Sequence, residues 1–410
     1  MKVHDLILFL LSELNIPHPV LLMRKKILWF TLLLHAVFNA FPQQPDHFGP
    51  FRVVCLNPST PIKNQNKTNT CWSFSVVSFL ESEILRKLQD TFDLSEMYIV
   101  RKVYEKKAEK YFRMHGTISL SGGGVLNDVI DAILAFGVVP EQVYPANNTG
   151  GALQDHSLLD KTIKSFMEKV VNGQAAFIDT LWKNKFIALL DEWLGEVPDH
   201  FFWKGQLVTP LTFKDSLKID PSCYIALTSF QHHPWYSEFS IEVPDNWNWA
   251  KVWNVPLDEL EQVVRYALVK GYTVAWAADI SEPGFDWKNG MAYLSREPVL
   301  TSAIQNDGDQ DDSFDKAPPP SHEPFVNQLF RQEEFDKYAT TDDHAMHIIG
   351  MAEDSMGRLW YIAKNSWGTQ GTNFKGYLLV SGPYFRAKTI SILMPREALI
   401  NELLHKLNFY

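Results

Sequence analysis

The sequence predicts an α+β fold, and three observations carry that prediction. Helical periodicity starts abruptly at Cys71 and recurs through the first half of the chain. Apolar alternation of the sheet kind fills the C-terminal part, in "HAMHIIGMAED", "LWYIAKNSWG" and "GYLLV". Between them lies an aromatic stretch with neither pattern. At 410 residues the chain is long enough for two domains, or for one with insertions around a sizeable core.

The elements follow in order. From Met23, "MRKKILWFTLLLHAVFNAFPQQ" has a basic start (Arg24, Lys25, Lys26) and an apolar run too short to span a bilayer comfortably. It reads as a secretory signal peptide cut near Ala36 or Ala40, preceded by an upstream extension. Such a leader implies export, to the periplasm or the exterior, with an uncleaved membrane anchor as the alternative. Pro42 to Asn69 is rich in Pro, Asn and Thr and reads as extended loop. Trp72, Val76, Phe79, Leu80, Ile84 and Leu88 then recur at helical spacing to about Asp90, with charges on the other face and Thr70 as N-cap.

A second helix is expected over roughly Asp93 to Arg113. The glycines of "SGGGVLNDVIDAILAFGVV" open a third that closes at Gly137. About Leu158 to Leu194 reads as largely helical, and Phe201 to Trp253 as aromatic loop. "VPLDELEQVVRYALVKGYTVAWAADI" gives a helix ending at Gly271 and a buried strand from Tyr272 to Ile280. Residues 304–323 are acidic and Pro-rich and read as a surface loop. Asp307, Asp309 and Asp311 invite a calcium reading, but Asp312 stands where an EF-hand needs Gly and no Glu closes the loop, so it is set aside. A turn at Ser355–Gly357 joins the first two C-terminal strands.

Composition excludes whole classes. With 46% hydrophobic and 21% charged residues the chain is neither collagen-like nor disordered overall. A formal charge of −10 and the absence of a basic run argue against nucleic-acid binding. Three cysteines, Cys55, Cys71 and Cys223, are too few for a disulfide scaffold, although Cys55 and Cys223 have the option to pair.

"KNQNKTNTCWSFS" places Cys71 at a helix start, where a thiolate is favoured. A base must come from elsewhere, and His344, at the start of an apolar strand, is the best candidate. Asn365 in "KNSWG" returns on the next strand, where a neutral amide orients an imidazole without adding charge. Gln65 has an amide to offer a developing oxyanion, with the Cys71 backbone N–H as second donor. His347 competes for the base role. It stands three residues beyond His344 on a strand, hence on the opposite face, and reads as a sheet histidine. Adjacent His232 and His233 suggest a metal, yet neighbours on an extended chain point apart and no carboxylate cluster completes a site. Trp247, Trp249 and Trp253 read as packing residues rather than a ligand groove. The two glycosylation sequons, at Asn66 and Asn147, are too short a signal to use.

Taken together, "NQNKTNTCWSFS", "DHAMHIIG" and "KNSWG" resemble the papain-like cysteine peptidases. The bleomycin hydrolase/aminopeptidase C branch is more similar than papain, with "LTSFQHHPWY" and "NVPLDELEQVV" extending the resemblance over about Asn57 to Pro395. The resemblance implies a two-lobed fold with a helical left lobe (41–150), a helical insertion (151–250), an antiparallel, barrel-like right lobe (251–396) and a C-terminal tail (397–410), after the N-terminal extension and signal peptide (1–40). It implies Cys71 as nucleophile, His344 as base, Asn365 as orienting residue, Gln65 as oxyanion donor and Trp367 as shield of the His–Asn bond. Gly123 and Gly124 resemble the glycines whose backbone pairs with an extended substrate. Asn69 stands where the family has Gly, but Asn tolerates positive φ. Thr68 replaces a papain half-cystine.

The resemblance further implies a peptidase acting on peptide substrates, with no metal or organic cofactor and a hexameric homo-oligomer. In that branch the chain's own C-terminus lies in the cleft and confines cutting to the amino end of peptides, a part that "EALINELLHKLNFY" would play here. Aminopeptidase is the expected activity and endopeptidase the alternative. A catalytically silent peptide-binding module and an acyl transferase are the rivals from other classes.

Overall fold

The computed structural model describes residues 48–146, 155–173, 181–295 and 323–409. The signal peptide, the acidic segment from 304, with its calcium reading, and the sequon at Asn147 lie outside the described residues. Among the described residues no helix is long and apolar enough to cross a membrane.

The helical part comprises α1 (Cys71–Leu88), α2 (Glu96–Arg113), α3 (Leu126–Phe136), α4 (Ser157–Val171) and α5 (Trp182–Leu194). The segment expected as one helical region is thus two helices, the first followed by Gly173 at φ 67°. Ser95 caps α2 by accepting from the Tyr98 N–H, and Gly137 closes α3, as a residue free to take positive φ should.

Among the described residues an eleven-stranded sheet forms the other part. Its middle runs β4 (Tyr224–Thr228), β13 (Thr389–Pro395), β7 (Val274–Ala278), β10 (His344–Glu353), β11 (Leu359–Lys364) and β12 (Tyr377–Ser381). Beyond β12 come β9 (Met291–Ala292) and β8 (Phe285–Asp286), and β1 (Arg52–Leu56) pairs antiparallel with β10. The stretch expected as aromatic loop holds structure. Besides β4 it contains the hairpin β2 (Phe201–Trp203) and β3 (Gln206–Val208), a short helix α6 (Pro210–Ser216), β5 (Glu238–Ser240) and β6 (Lys251–Asn254). Strands of three or four residues are too short to show a period, and β4 is buried at every position, so nothing in it alternates.

The sheet's two faces explain the lobes. Ala275, Ala277 and Ala345 turn one face towards the helical core. Val274, Trp276, Met346 and Ile348 turn the other towards α7 (Leu257–Val269) and α9 (Gly382–Lys388), the latter preceded in the chain by α8 (Gln328–Asp336). The first face is built of small residues, so a helix approaches it closely. That helix is α1. It is buried continuously from Trp72 to Leu85, so of the charged residues expected on an exposed face Glu81 and Glu83 are buried and only Arg86 and Lys87, near its end, reach solvent. Glu81 is 1% exposed and instead accepts from Thr60 Oγ1 at 2.5 Å and the Leu94 N–H at 2.9 Å. Thr70 does not cap with its side chain; its hydroxyl is bonded to Thr68 Oγ1 at 2.6 Å.

Candidate active site

Cys71, Ser75, Ser78 and Ser82 are spaced by 4, 3 and 4 residues, one stripe along α1. Ser75 Oγ donates to the Met346 carbonyl at 2.6 Å, and Ser78 Oγ lies 2.9 Å from His347 Nδ1. The small stripe thus seats α1 on β10 and brings Cys71 to the end of the strand where His344 begins. Its serines are the signal that periodicity reading, tuned to large apolar residues, passes over. His347 is held under the helix and His344 is not, as strand alternation predicts.

Asn365 follows β11 directly, and its Oδ1 lies 2.7 Å from His344 Nε2. The same oxygen accepts the Ser366 N–H at 2.8 Å, which identifies it as the oxygen. His344 Nε2 must therefore carry the proton, leaving the lone pair on Nδ1. The Trp367 ring lies 4.7 Å from the imidazole, tilted by 38°, and is itself flanked by Trp287 at 5.2 Å and Phe285 at 6.0 Å. Both His344 and Asn365 are buried.

A short ladder ties the Gln65 segment to this corner. The Gln65 N–H donates to the Ser366 carbonyl at 2.7 Å and the Gly368 N–H to the Lys63 carbonyl at 3.1 Å. Ser366 Oγ donates to Gln65 Oε1 at 2.5 Å, so the Gln65 amide has its oxygen engaged and its NH₂ left to donate. Lys63, two residues earlier, anchors the loop through Asp93 at 2.6 Å, Glu96 at 2.8 Å and Glu81 at 3.3 Å. Asn69 takes φ 54°, so the turn into α1 survives the loss of the glycine.

Gln65, Cys71, Gly123, Gly124, His344 and Trp367 all line one cavity of about 600 Å³. The two glycines are required by close approach. A Cβ on Gly123 would stand 1.9 Å from Asp245 Oδ2, and one on Gly124 2.8 Å from Asp128 Oδ2 and 3.0 Å from the Trp72 ring. With Asn365 bonded to His344, the residues singled out from sequence are brought together. What sequence reading misses is the carboxylates: Asp245, Asp342 and Asp343 line the same cavity. The pair before His344 is in view in "TTDDHAM", but Asp245, in a loop between short strands, carries no local signal.

Electrostatics differ from expectation. Burial pushes the Cys71 thiol up to about 12, and the charges of Asp342 and Asp245 push the same way, against backbone N–H groups of Ala345 and Trp72. The helix start does not depress it, because desolvation outweighs the terminal N–H groups. Burial likewise holds His344 down at about 4, against the Asn365 bond and Asp343. The cleft holds a thiol and a neutral imidazole.

The adjacent histidines behave otherwise than the extended-chain argument implies. They stand in a turn, their rings converge to 4.6 Å, and their Nε2 atoms meet Glu242 at 3.1 and 2.7 Å. With Glu242 they form a cluster whose potential ligand atoms lie within 4.8 Å of one another. The hydrogen bonds oppose a metal there. Gln332 Oε1 accepts the Gln231 N–H at 2.6 Å, which turns Gln332 Nε2 to donate to His232 Nδ1 at 2.9 Å. His232 is then protonated on Nε2, the atom a metal would need. The three tryptophans do not form one cluster: Trp247 Nε1 donates to Asp128 Oδ2 at 2.8 Å, Trp249 is half exposed, and Trp253 packs on Phe409. All three cysteines are free thiols.

Residues 397–409 of the C-terminal tail are not in the cleft. The helix α10 (Asn401–Lys406) and the residue after it bury Leu403 and Leu407 in the core behind the sheet. Phe409 packs on Trp253 at 5.4 Å and beneath Arg396 at 4.5 Å. No residue from 397 to 409 lines the cavity.

Comparison with known proteins bears on the peptidase class and the fold. Residues 52–189 match the model of the papain family of cysteine proteases. Aminopeptidase G of Lactobacillus delbrueckii subsp. lactis is 22% identical over 396 residues, 84% of this chain and 83% of that protein. Human bleomycin hydrolase is 19% identical over 399 residues, 84% of this chain and 82% of that protein. The crystal structure of PepW from Lactobacillus rhamnosis superposes with a TM-score of 0.66 at 17% identity, over 97% of this chain and 96% of that one, and so shares the fold. Over residues 52–189 the chain is similar to the papain family of cysteine proteases, and it is a cysteine-type peptidase similar over most of its length to aminopeptidase G and the bleomycin hydrolases.

Proposed function

We propose that the chain is an aminopeptidase in which Cys71 is the nucleophile, His344 the base, Asn365 the orienting residue and Gln65 an oxyanion donor. The observation that carries the assignment is the tautomer of His344: its Nε2 proton is committed to Asn365 Oδ1, so Nδ1 is the basic atom in a cavity shared with Cys71. The Cys71 sulfur gives its proton to His344 Nδ1 as it attacks the peptide carbonyl carbon. The C=O pair moves to oxygen, which is met by the Gln65 amide NH₂ and the Cys71 N–H. Collapse of this intermediate expels the amine, which takes the proton back from His344. Water then attacks the thioester with His344 again as base, releasing the acid and restoring the thiol. Two neutral groups at rest suit this sequence, since each charge is created only as the other forms beside it.

The amino-end preference has support in the names of the relatives, an aminopeptidase and bleomycin hydrolases. The test is cleavage of an aminoacyl fluorogenic amide with a free amine and of its N-acetylated twin, by wild type and Cys71→Ser. Turnover of the free amine alone, lost in the variant, is the expected result. Turnover of the blocked substrate would instead make the enzyme an endopeptidase, and silence on both, with an inert thiol, a binding module. Export is proposed on the N-terminal segment alone, and N-terminal sequencing of the mature protein checks it.

A further inference from the structure

With the C-terminal tail packed behind the sheet, something else in the cleft must meet the amino end of a substrate if cutting is confined there. The cavity beside Cys71 holds carboxylates on two walls. Asp245 comes from the loop before β6 and stands over Gly123, where an added Cβ would overlap its Oδ2 at 1.9 Å. A peptide running on past this point in extended form meets that carboxylate instead of the glycine backbone. The Gly123 carbonyl is also already engaged, by Lys107 Nζ. Asp342 comes from the opposite wall, two residues before His344.

The internal partners of these groups are few. Asp342 has no hydrogen bond or ion pair among the described residues, and burial together with the charges of Asp245 and Asp343 pushes it up to about 8. Asp245 accepts only a long bond from Ser121 Oγ, at 3.3 Å. Asp343 differs: it takes Thr341 Oγ1 at 2.8 Å and the Ile280 N–H at 3.3 Å. Two cations are near. Lys107 is spent on the carbonyls of Ser121 and Gly123, and Lys67 is an exposed residue of the cavity wall. A half-buried carboxylate held against its ionisation by like charges is a group that a cationic ligand satisfies.

We infer that Asp245 and Asp342 anchor the free α-ammonium of the bound peptide, and are the specificity determinants of the amino-end preference on whose reading this inference rests. Asp245 closes the cleft to residues before the cut, and Asp342 supplies the second charge from across it.

The test separates binding from chemistry. The Cys71→Ser protein is titrated calorimetrically with alanyl-alanine amide, its N-acetyl form and N-acetyl-lysyl-alanine amide. The expected result is binding of the free amine about 10-fold or more tighter than the acetylated peptide, a margin that Asp245→Asn and Asp342→Asn each reduce and the double variant removes. In the wild-type background the same substitutions raise KM for free-amine substrates. Equal binding of free and acetylated peptides overturns the inference, as does a margin that persists in the double variant. Tight binding of the acetyl-lysyl peptide alone also overturns it, because the ammonium recognised would then belong to a side chain. A margin that depends on both aspartates in a protein that fails to cleave free-amine substrates sustains the anchor and sinks the aminopeptidase reading; thermal melts of the isosteric variants check that they fold.

Discussion

The two ends of the cleft are built on opposite principles. At the His344 end the groups that fix the geometry are tied from inside the protein: His344 by Asn365, Asn365 Oδ1 by the Ser366 N–H, Gln65 Oε1 by Ser366 Oγ, and the Gln65 loop by Lys63, with Asn365 Nδ2 left without a partner among the described residues. At the Asp245–Asp342 end the carboxylates face one another and the thiol with little internal compensation. The difference teaches where to look for machinery and where to look for ligand. Groups that must keep one geometry through a reaction are tied down beforehand, while groups that recognise a charge are left wanting it.

The largest expected effect comes from breaking the tied end at its centre. Cys71→Ser or His344→Ala lowers kcat by about 10³-fold or more with the fold intact, read from turnover and a thermal melt. Retained turnover in either variant would dismantle the assignment. Next, Gln65→Ala costs on the order of 10²–10³ in kcat with KM little changed. Ser366→Ala, which only frees the amide to rotate, costs less. Equal losses would mean that Ser366 does more than hold Gln65.

The unanswered end makes a smaller, pH-dependent prediction. The folded pKa of Asp342 is raised to about 8, so between about pH 4 and that value the unfolded chain has released a proton that the folded one still holds, and stability falls across that window. Asp342→Asn removes this loss. The variant gains on wild type across the window, by about 1–3 kcal/mol after allowance for partial exposure, and the gain levels off above it. A difference that is flat with pH would show that Asp342 ionises freely. The same substitution eases Cys71 ionisation, since the Asp342 charge opposes it. Iodoacetamide alkylation should therefore quicken once Asp342 would be charged, above about pH 8, and match wild type well below it. The smallest effect sharpens the contrast from outside the cleft: Phe409→Ala loses its contact with Trp253 and lowers the melting temperature by a few degrees, leaving the free-to-acetylated rate ratio unchanged. A change in that ratio would return the tail to the active site.

Much of this is legible in the residues. Cys71, His344 and Asn365 each stand at a junction where a loop meets an element, Gln65 lies in the loop leading to α1, and the motifs around them are local enough to read. The helices α1, α2, α3 and α7 show a clear 3.6-residue period. The short strands between Phe201 and Trp253 are not legible, because three residues carry no period and β4 is apolar throughout its buried length apart from Thr228. The convergence of His232 and His233 escapes for a related reason, since the rule that neighbours point apart fails where the backbone turns.

By itself the sequence determined the chemistry on offer: a thiol at a helix start, an imidazole at a strand start, amides that orient and donate, and a helices-then-strands order. Those are properties of single side chains and of short-range periodicity, which neighbours along the chain fix. Only the tertiary structure decided that α1 is buried on all sides from Trp72 to Leu85, that the thiol is pushed up rather than down, that the tail packs behind the sheet, and that Asp245 and Asp342 line one cleft. Each of these depends on desolvation and on charges brought close by contacts between segments far apart in sequence, and neither quantity is written in any local stretch of residues.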